Sequence, residues 1–244
     1  MNISATIEKL GTMRMYGFQR AYIQLTENAG QQQFTPDEIV AHLVDAEFDD
    51  KYNRKLDRLV KQARFKQQAR FEQINYTHPR KLDKNYLLRL HNCDWIIKGR
   101  DLLVTGPTGV GKSYIICALG YQACINELKT LYITANKLLD SLAYAKADGT
   151  YFKVVDSLSK TRLLIIDDFA LRKIDPKQCN MLMDVIDERH GRASTIVSSQ
   201  LKVKDWYECF AEPTLADAIL DRLVNGSYRI ELEGETMRKF LEKE

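Results

Sequence analysis

The sequence predicts an α/β protein: a parallel sheet sandwiched by helices, preceded by a small all-helical N-terminal domain. Three observations predict it. Strand-like apolar runs alternate with helical patterns along the second two thirds of the chain, as in βαβ units. A glycine-rich loop of the form G-x-x-x-x-G-K-[ST] joins the first such run to the next helix. No strand-like run occurs before about residue 76, where apolar residues recur at helical spacing instead.

In the N-terminal part, Ile3, Ile7, Leu10, Tyr22 and Leu25 mark helical faces, and Gly30 with the three glutamines after it breaks the pattern. Thr35-Pro36-Asp37-Glu38 reads as a helix start. Thr35 can cap, Pro36 sits in the first turn where its missing N–H costs nothing, and Glu38 completes a capping box. The helix that follows is expected to run for roughly nine turns, to about Arg70. At 100° per residue, Tyr52, Leu56, Leu59, Val60 and Ala63 fall on one side. Lys51, Arg54, Lys55, Arg58 and Lys61 fall on the other. Between Lys51 and Lys81 there are ten basic residues against two acidic ones. A face so dominated by one sign points to a polyanion such as duplex DNA. The acids Asp45, Glu47, Asp49 and Asp50 stand close enough in sequence to neutralise part of it.

After Thr77-His78-Pro79 the character changes. Strands are expected at 102–105, 131–134, 163–166, 195–198 and 228–232, with helices near 112–126, 136–147, 151–159, 176–190 and 213–224. The expected division is 1–76 for the helical domain, concerned with DNA binding and assembly, and 77–244 for the nucleotide-binding domain.

The loop is Gly106-Pro107-Thr108-Gly109-Val110-Gly111-Lys112-Ser113. A phosphate chain is a crowded anion, and glycines let backbone N–H groups close round it. The helix that follows adds its positive N-terminal end. Lys112 is expected to reach the outer phosphates of ATP, and the Ser113 hydroxyl to ligate Mg2+. Tyr114, directly after the loop, is counted with the nucleotide-binding residues. Leu163-Leu164-Ile165-Ile166 is an apolar strand ending in Asp167 and Asp168. Strand ends in such sheets point at the ligand. Asp167 is expected to hold Mg2+ through water, as a Walker-B acid does, and Asp168 to orient or activate the attacking water. The next strand ends at Ser199 and Gln200, beside the expected γ-phosphate; Gln200 is the first candidate for a sensor there, Ser199 the second.

Composition sets the surroundings. The chain has 244 residues, 45% of them hydrophobic, and a formal net charge of +3. No stretch approaches the ~18 apolar residues of a membrane span, and the first residues show no basic start followed by an apolar run. The five cysteines are odd in number and never in C-x-x-C spacing. This argues against a disulfide framework and a zinc site, and a cytoplasmic location is expected. Trp95, Trp206 and the four histidines read as structural.

Residues from about Arg70 to Arg238 resemble the IstB-type ATPases, the transposition helper proteins of bacterial insertion sequences, which belong to the AAA+ group close to the DnaC helicase loaders. The resemblance rests on Asp94-Trp95-Ile96, the GPTGVGKS loop, LLIIDDF, the segment from Asp187 to Arg192, that from Ser194 to Leu201, and the long block from Pro213 to Lys239. It implies an AAA+ core with a reduced or absent lid, since little sequence follows Arg238. By the same resemblance Arg222 is an arginine finger that reaches the neighbouring subunit's γ-phosphate, Arg238 is a candidate second sensor, and the segment from Phe71 to Tyr76 a candidate adenine contact. An internal ion pair of Arg222 with Asp217 or Asp221 is the alternative. The implied function is a Mg2+-dependent ATPase, stimulated by DNA, that self-associates with ATP on target DNA and recruits or activates a cognate transposase. The rivals are a DnaC-like replicative helicase loader, a nucleotide-gated DNA scaffold with little turnover, and a small-molecule P-loop kinase.

Overall fold

The computed structural model describes residues 3–28 and 34–237. Its contacts divide the chain into two compact units, Met1–Arg58 and Leu59–Glu244.

The first unit is helical. It holds α1 (Ile3–Thr12), α2 (Tyr16–Glu27) and most of α3 (Pro36–Ala63). The capping box at the start of α3 forms as its sequence dictates: Thr35 N–H donates to Glu38 Oε2 at 2.8 Å, and Glu38 N–H to Thr35 Oγ1 at 3.3 Å. Glu47, buried on α3, accepts from the N–H groups of Gly17 and Phe18 at 2.9 and 3.1 Å. A carboxylate thus closes the exposed donors that begin α2 and meets the positive end of that helix. A Cβ on Gly17 would lie 2.2 Å from the Ala46 carbonyl oxygen, so α2 and α3 touch backbone to backbone only because residue 17 is glycine.

The helix α3 stops at Ala63, short of the expected Arg70. Arg64 takes the left-handed conformation (φ 56°) and ends the helix in the manner of an αL cap. The residues that follow join the second unit's core: Ala69, Phe71 and Ile74 are buried in one cluster with Ile115, Ile116 and Leu119. The contact division therefore falls earlier than the 76/77 boundary read from the sequence, because the connecting segment packs into the core of the second unit.

The second unit is built on a five-stranded parallel sheet of order β2-β3-β4-β1-β5: β1 (Leu102–Thr105), β2 (Thr130–Thr134), β3 (Leu163–Phe169), β4 (Ser194–Ser199) and β5 (Tyr228–Glu231). Alternate residues feed two cores, as period-two side chains must. Leu102, Val104, Leu163, Ile165 and Ile196 pack with α4 (Lys84–His91), α5 (Asp94–Ile97) and α6 (Lys112–Ile125). Leu103, Leu164, Ile166 and Val197 pack with α7 (Ala135–Ala147), α8 (Tyr151–Ser159), α9 (Pro176–Arg189) and α10 (Pro213–Val224). Trp95 and Trp206 are buried, each donating its indole N–H to a carbonyl, of Leu90 and Leu201 respectively. Among the described residues no helix is long and apolar enough to cross a membrane, and none follows β5.

At the end of the sheet away from the loop, Arg189 is buried and donates to the carbonyls of Leu158, Thr161 and Ser194 and to Thr195 Oγ1. It ties α9 to the starts of β3 and β4. Asp101 accepts from Thr195 N–H at 2.6 Å. Burial pushes its carboxyl up to about 7, against the pull of that hydrogen bond and of Arg189. The fold therefore prefers the protonated acid. That contribution to stability is fully present below the unfolded value of about 4 and is lost as pH rises through about 7. Asp101→Asn keeps an acceptor oxygen without the charge. Its melting temperature relative to the wild type is expected to climb between pH 5 and pH 8; a difference independent of pH would contradict the assignment.

Candidate functional site

Thr105 ends β1, which lies between β4 and β5, and the glycine-rich loop follows it. Gly111 precedes α6 with φ 93°, and a Cβ there would meet Arg80 Nη1 at 2.3 Å. Only glycine allows both the turn and the close approach. The Lys112 ammonium donates to the carbonyls of Gly106 and Pro107 at 2.7 and 2.8 Å. Burial lowers its pKa, while Asp167 and Asp168 pull it back up. The cation thus rests on neutral acceptors that an anion can replace.

Ser113 Oγ, in the first turn of α6, donates to Asp167 Oδ2 at 2.7 Å. Asp167 is fully buried at the end of β3. Its Oδ2 also accepts from Tyr132 Oη at 2.6 Å, and its Oδ1 accepts from Asp168 N–H at 2.9 Å. The carboxylate is held from three sides in one orientation. Asp168 follows with φ 57°, and the register between β3 and β4 shifts between Ile166 and Phe169. Such a bulge re-aims side chains at a strand end. A non-glycine residue held at positive φ stores strain that is typical of functional positions. Lys66, from the segment after α3, lies 3.9 Å from the Asp168 carboxylate. On the neighbouring strand end, Gln200 Oε1 accepts from Thr108 Oγ1 at 2.7 Å, joining the sensor candidate to the loop. Ser199 turns inward instead, its hydroxyl donating to the Phe169 carbonyl. The structure thus gathers Gly106 to Ser113, Asp167, Asp168 and Gln200 at one end of the sheet.

Other expected contacts go elsewhere. The Tyr114 hydroxyl donates to Gln73 Oε1 and accepts from Arg70 N–H, so its ring end faces the connecting segment and only its backbone stays beside the loop. Phe71 is buried edge-on against His91, with centroids 4.7 Å apart, which makes it core. Arg222, in the last turn of α10, pairs with Asp187 of α9 at 2.8 Å and donates to the Ala218 carbonyl. Its partner is thus neither Asp217 nor Asp221. A partly exposed pair of this kind contributes only about 0–1 kcal/mol and can open. On α3, Lys51 pairs with Glu47, and Arg54 with Asp50 and Glu47. The neighbouring acids thus hold Lys51 and Arg54, and Arg58 and Lys61 continue the basic face along the helix. Arg238 lies outside the described residues.

Residues 8–244 match the family described as IstB-like ATP binding protein. The chain belongs to that family. It is 38% identical over 234 residues to an insertion-sequence ATP-binding protein of Sinorhizobium fredii, covering 96% of both chains. It is 36% identical over 197 residues to the ATP-binding protein of insertion sequence IS1162 from Pseudomonas fluorescens, covering 80% of this chain and 85% of that one. Solved structures share the fold. DnaI superposes with TM-score 0.57 at 18% identity, covering 69% of this chain and 90% of that one. AMPPCP-bound DnaA from Aquifex aeolicus gives 0.60 at 13%, covering 74% and 55%. The core therefore shares its fold with these two proteins, and the IstB-like chain is an ATP-binding protein.

Two residues of this IstB-like site escaped the sequence reading. Tyr132 looks like an ordinary strand residue until β2 pairs with β3 and sets it against Asp167. Arg80 merged into the basic run, yet it is buried. Its Nη1 donates to the Val110 carbonyl at 2.8 Å, and its Nη2 to that of Asn75 at 2.7 Å. It props the phosphate loop from below.

Proposed function

We propose that this protein is a Mg2+-dependent ATPase that assembles on duplex DNA and recruits or activates the transposase of its own insertion sequence. The observation that carries the reading is the three-sided clamp on Asp167, placed against Ser113 at the start of the loop helix. A hydroxyl and a buried carboxylate 2.7 Å apart are hard oxygen donors, the kind Mg2+ takes while keeping waters and phosphate oxygens as its other ligands. Among the described residues no group of three His, Cys, Asp or Glu forms a metal cage, and such a phosphate-sharing site needs none. Mg2+ held by Ser113 and Asp167 would neutralise charge on the phosphates.

The chain's own residues do the rest. Lys112 leaves the loop carbonyls for the outer phosphates of ATP, and the backbone N–H groups from Thr108 to Ser113 surround them. Asp168 takes the position from which a carboxylate orients the attacking water and accepts its proton. Gln200, already joined to Thr108, reads the γ-phosphate. Arg222, released from Asp187, completes a neighbouring subunit's site. Residues 1–76 serve DNA binding and assembly, and 77–244 serve nucleotide chemistry, in the cytoplasm.

The helper reading is favoured over a helicase loader because the curated relatives at 36–38% identity are named for insertion sequences, whereas the likeness to helicase loaders is one of fold. ATP turnover measured with and without duplex DNA tests it, alongside DNA affinity at several salt concentrations. Turnover should rise with DNA. Affinity should fall steeply with salt and depend little on sequence. Replacing Lys55, Arg58 and Lys61 with alanine should lower the salt slope by about one per cation. Unchanged DNA affinity in that triple variant would remove the basic face from the account.

A further inference from the structure

Asp168 has a cation beside it that phosphate binding does not call for. The Lys66 ammonium lies 3.9 Å from Asp168 Oδ2, with the two side chains 53% and 32% exposed. Lys66 comes from the segment after α3, and three features fix the backbone there. Arg64, at φ 56°, turns the chain out of the helix. The Phe65 ring lies on α6 where a Cβ on Gly120 would meet its Cε1 at 2.5 Å, so the ring sits there only because residue 120 is glycine. The Cys117 thiol, one turn beyond Ser113 on α6, accepts from the backbone N–H groups of Gln67 and Lys66. These bonds oppose the burial that pushes the thiol up to about 11. Residue 66 is thus pinned to the helix that begins with Lys112 and Ser113, and its flexible four-carbon stem is what can move.

The pair is not needed to hold the segment in place, because Phe65, Cys117 and the buried Ala69 already do so. Its consequence falls on Asp168. An ammonium donates hydrogen bonds and accepts none. Engaged with Oδ2, it draws that oxygen toward itself and offers nothing to a water that must give up a proton. While the pair lasts, the carboxylate is idle. A partly exposed pair of this kind opens easily, and a polyanion nearby competes for the same ammonium. Lys61, on the basic face of α3, and Arg64 stand just before Lys66 in the chain. Phosphates gathered by those two cations compete directly for the third.

We propose that Lys66 is a positioning residue that holds Asp168 idle until duplex DNA draws it away. The inference rests on the reading of this chain as a DNA-stimulated ATPase and names the group through which DNA acts. With Lys66 engaged, Asp168 is tethered to the connecting segment. With Lys66 turned to a DNA phosphate, Asp168 is free to take the proton of the water whose oxygen attacks the γ-phosphorus, as the bond from that phosphorus to the bridging oxygen of ADP breaks.

The test measures ATP turnover by the full chain with and without duplex DNA. Lys66→Ala should raise kcat without DNA about fivefold, the factor that a partly exposed pair can set, while KM for ATP stays as it was. The rate with saturating DNA should not change, so the stimulation by DNA shrinks. Lys66→Arg, which restores a cation, should restore the low DNA-free rate. A second measurement needs no ATP. Carbodiimide joins an amine to a carboxylate in direct reach, and peptide mass spectrometry should find Lys66 joined to Asp168 in the DNA-free chain. Duplex DNA should suppress that product, and Asp168→Asn should abolish it. A DNA-free rate that Lys66→Ala leaves unchanged would make Lys66 an ordinary solvated cation, and a rate that falls would make it an aid to catalysis; either overturns the proposal. So would coupling that persists undiminished on DNA. A wild type that never hydrolyses ATP would instead contradict the ATPase reading, and the coupling would still report whether DNA opens the pair.

Discussion

Lys112→Ala is expected to abolish tight ATP binding. The wild-type ammonium sits on two loop carbonyls at 2.7 and 2.8 Å, a resting place beside the phosphates it is to meet. Charge-assisted hydrogen bonds contribute about 1.5–3 kcal/mol each, so losing two weakens binding on the order of a hundredfold or more. Asp168→Asn should behave in the opposite way. Asparagine keeps the size and leaves the loop untouched, so ATP should bind nearly as before. It cannot take a proton, and turnover should fall by roughly two to four orders of magnitude. Titration with a fluorescent ATP analogue, set against a phosphate-release assay, separates the two variants. Equal affinity in wild type and Lys112→Ala would sink the assignment of the loop.

The course of the loop was legible in the sequence because a phosphate-loop pattern dictates backbone. Gly106, Gly109 and Gly111 must bend where other residues cannot, and Lys112 and Ser113 must follow at fixed offsets. The strand ending in Asp167 was legible for the same reason, as was the capping box of Thr35 and Glu38, which needs only neighbours in sequence. What the sequence concealed depends on distant partners. The end of α3 at Ala63 turns on Arg64 adopting a left-handed conformation, which arginine does not announce. The sequence offered Glu47 and Asp50 as partners for part of the basic face; it did not show that Asp50 would also take Arg20 of α2. Tyr132 reaches Asp167 across 35 positions of sequence, and Arg80 reaches Val110 across 30. Asp187 and Arg189 stood together in one block of family resemblance, yet one pairs with Arg222 and the other is buried scaffold.

The second large effect is expected at Arg222. A loop of this kind holds ATP from one side and leaves the γ-phosphate at the edge of the sheet, where another subunit can close the site. Guanidinium suits that position because it stays charged and forks onto oxygens. Arginine fingers raise turnover by roughly 10³–10⁵, so Arg222→Ala should bind ATP normally and hydrolyse it on the order of a thousandfold more slowly. Loss of the Asp187 pair alone predicts a different outcome: a small change in stability with turnover intact. Asp187→Ala is therefore the control. It should keep or raise turnover, since it frees the arginine. Head-to-tail contacts of this kind repeat and do not stop at a symmetric pair, so ATP should drive assembly beyond two subunits, and DNA should favour it by gathering subunits on one duplex.

The central claim is that hydrolysis belongs to the assembly and not to the single chain. It is tested most directly by mixing two inactive variants, Lys112→Ala and Arg222→Ala, on duplex DNA and measuring ATP turnover. In a mixed assembly, an Arg222→Ala subunit keeps an intact pocket that Arg222 of a Lys112→Ala neighbour can complete. Turnover well above either variant alone is the predicted result. No recovery, with mixed assemblies demonstrably formed, would contradict it.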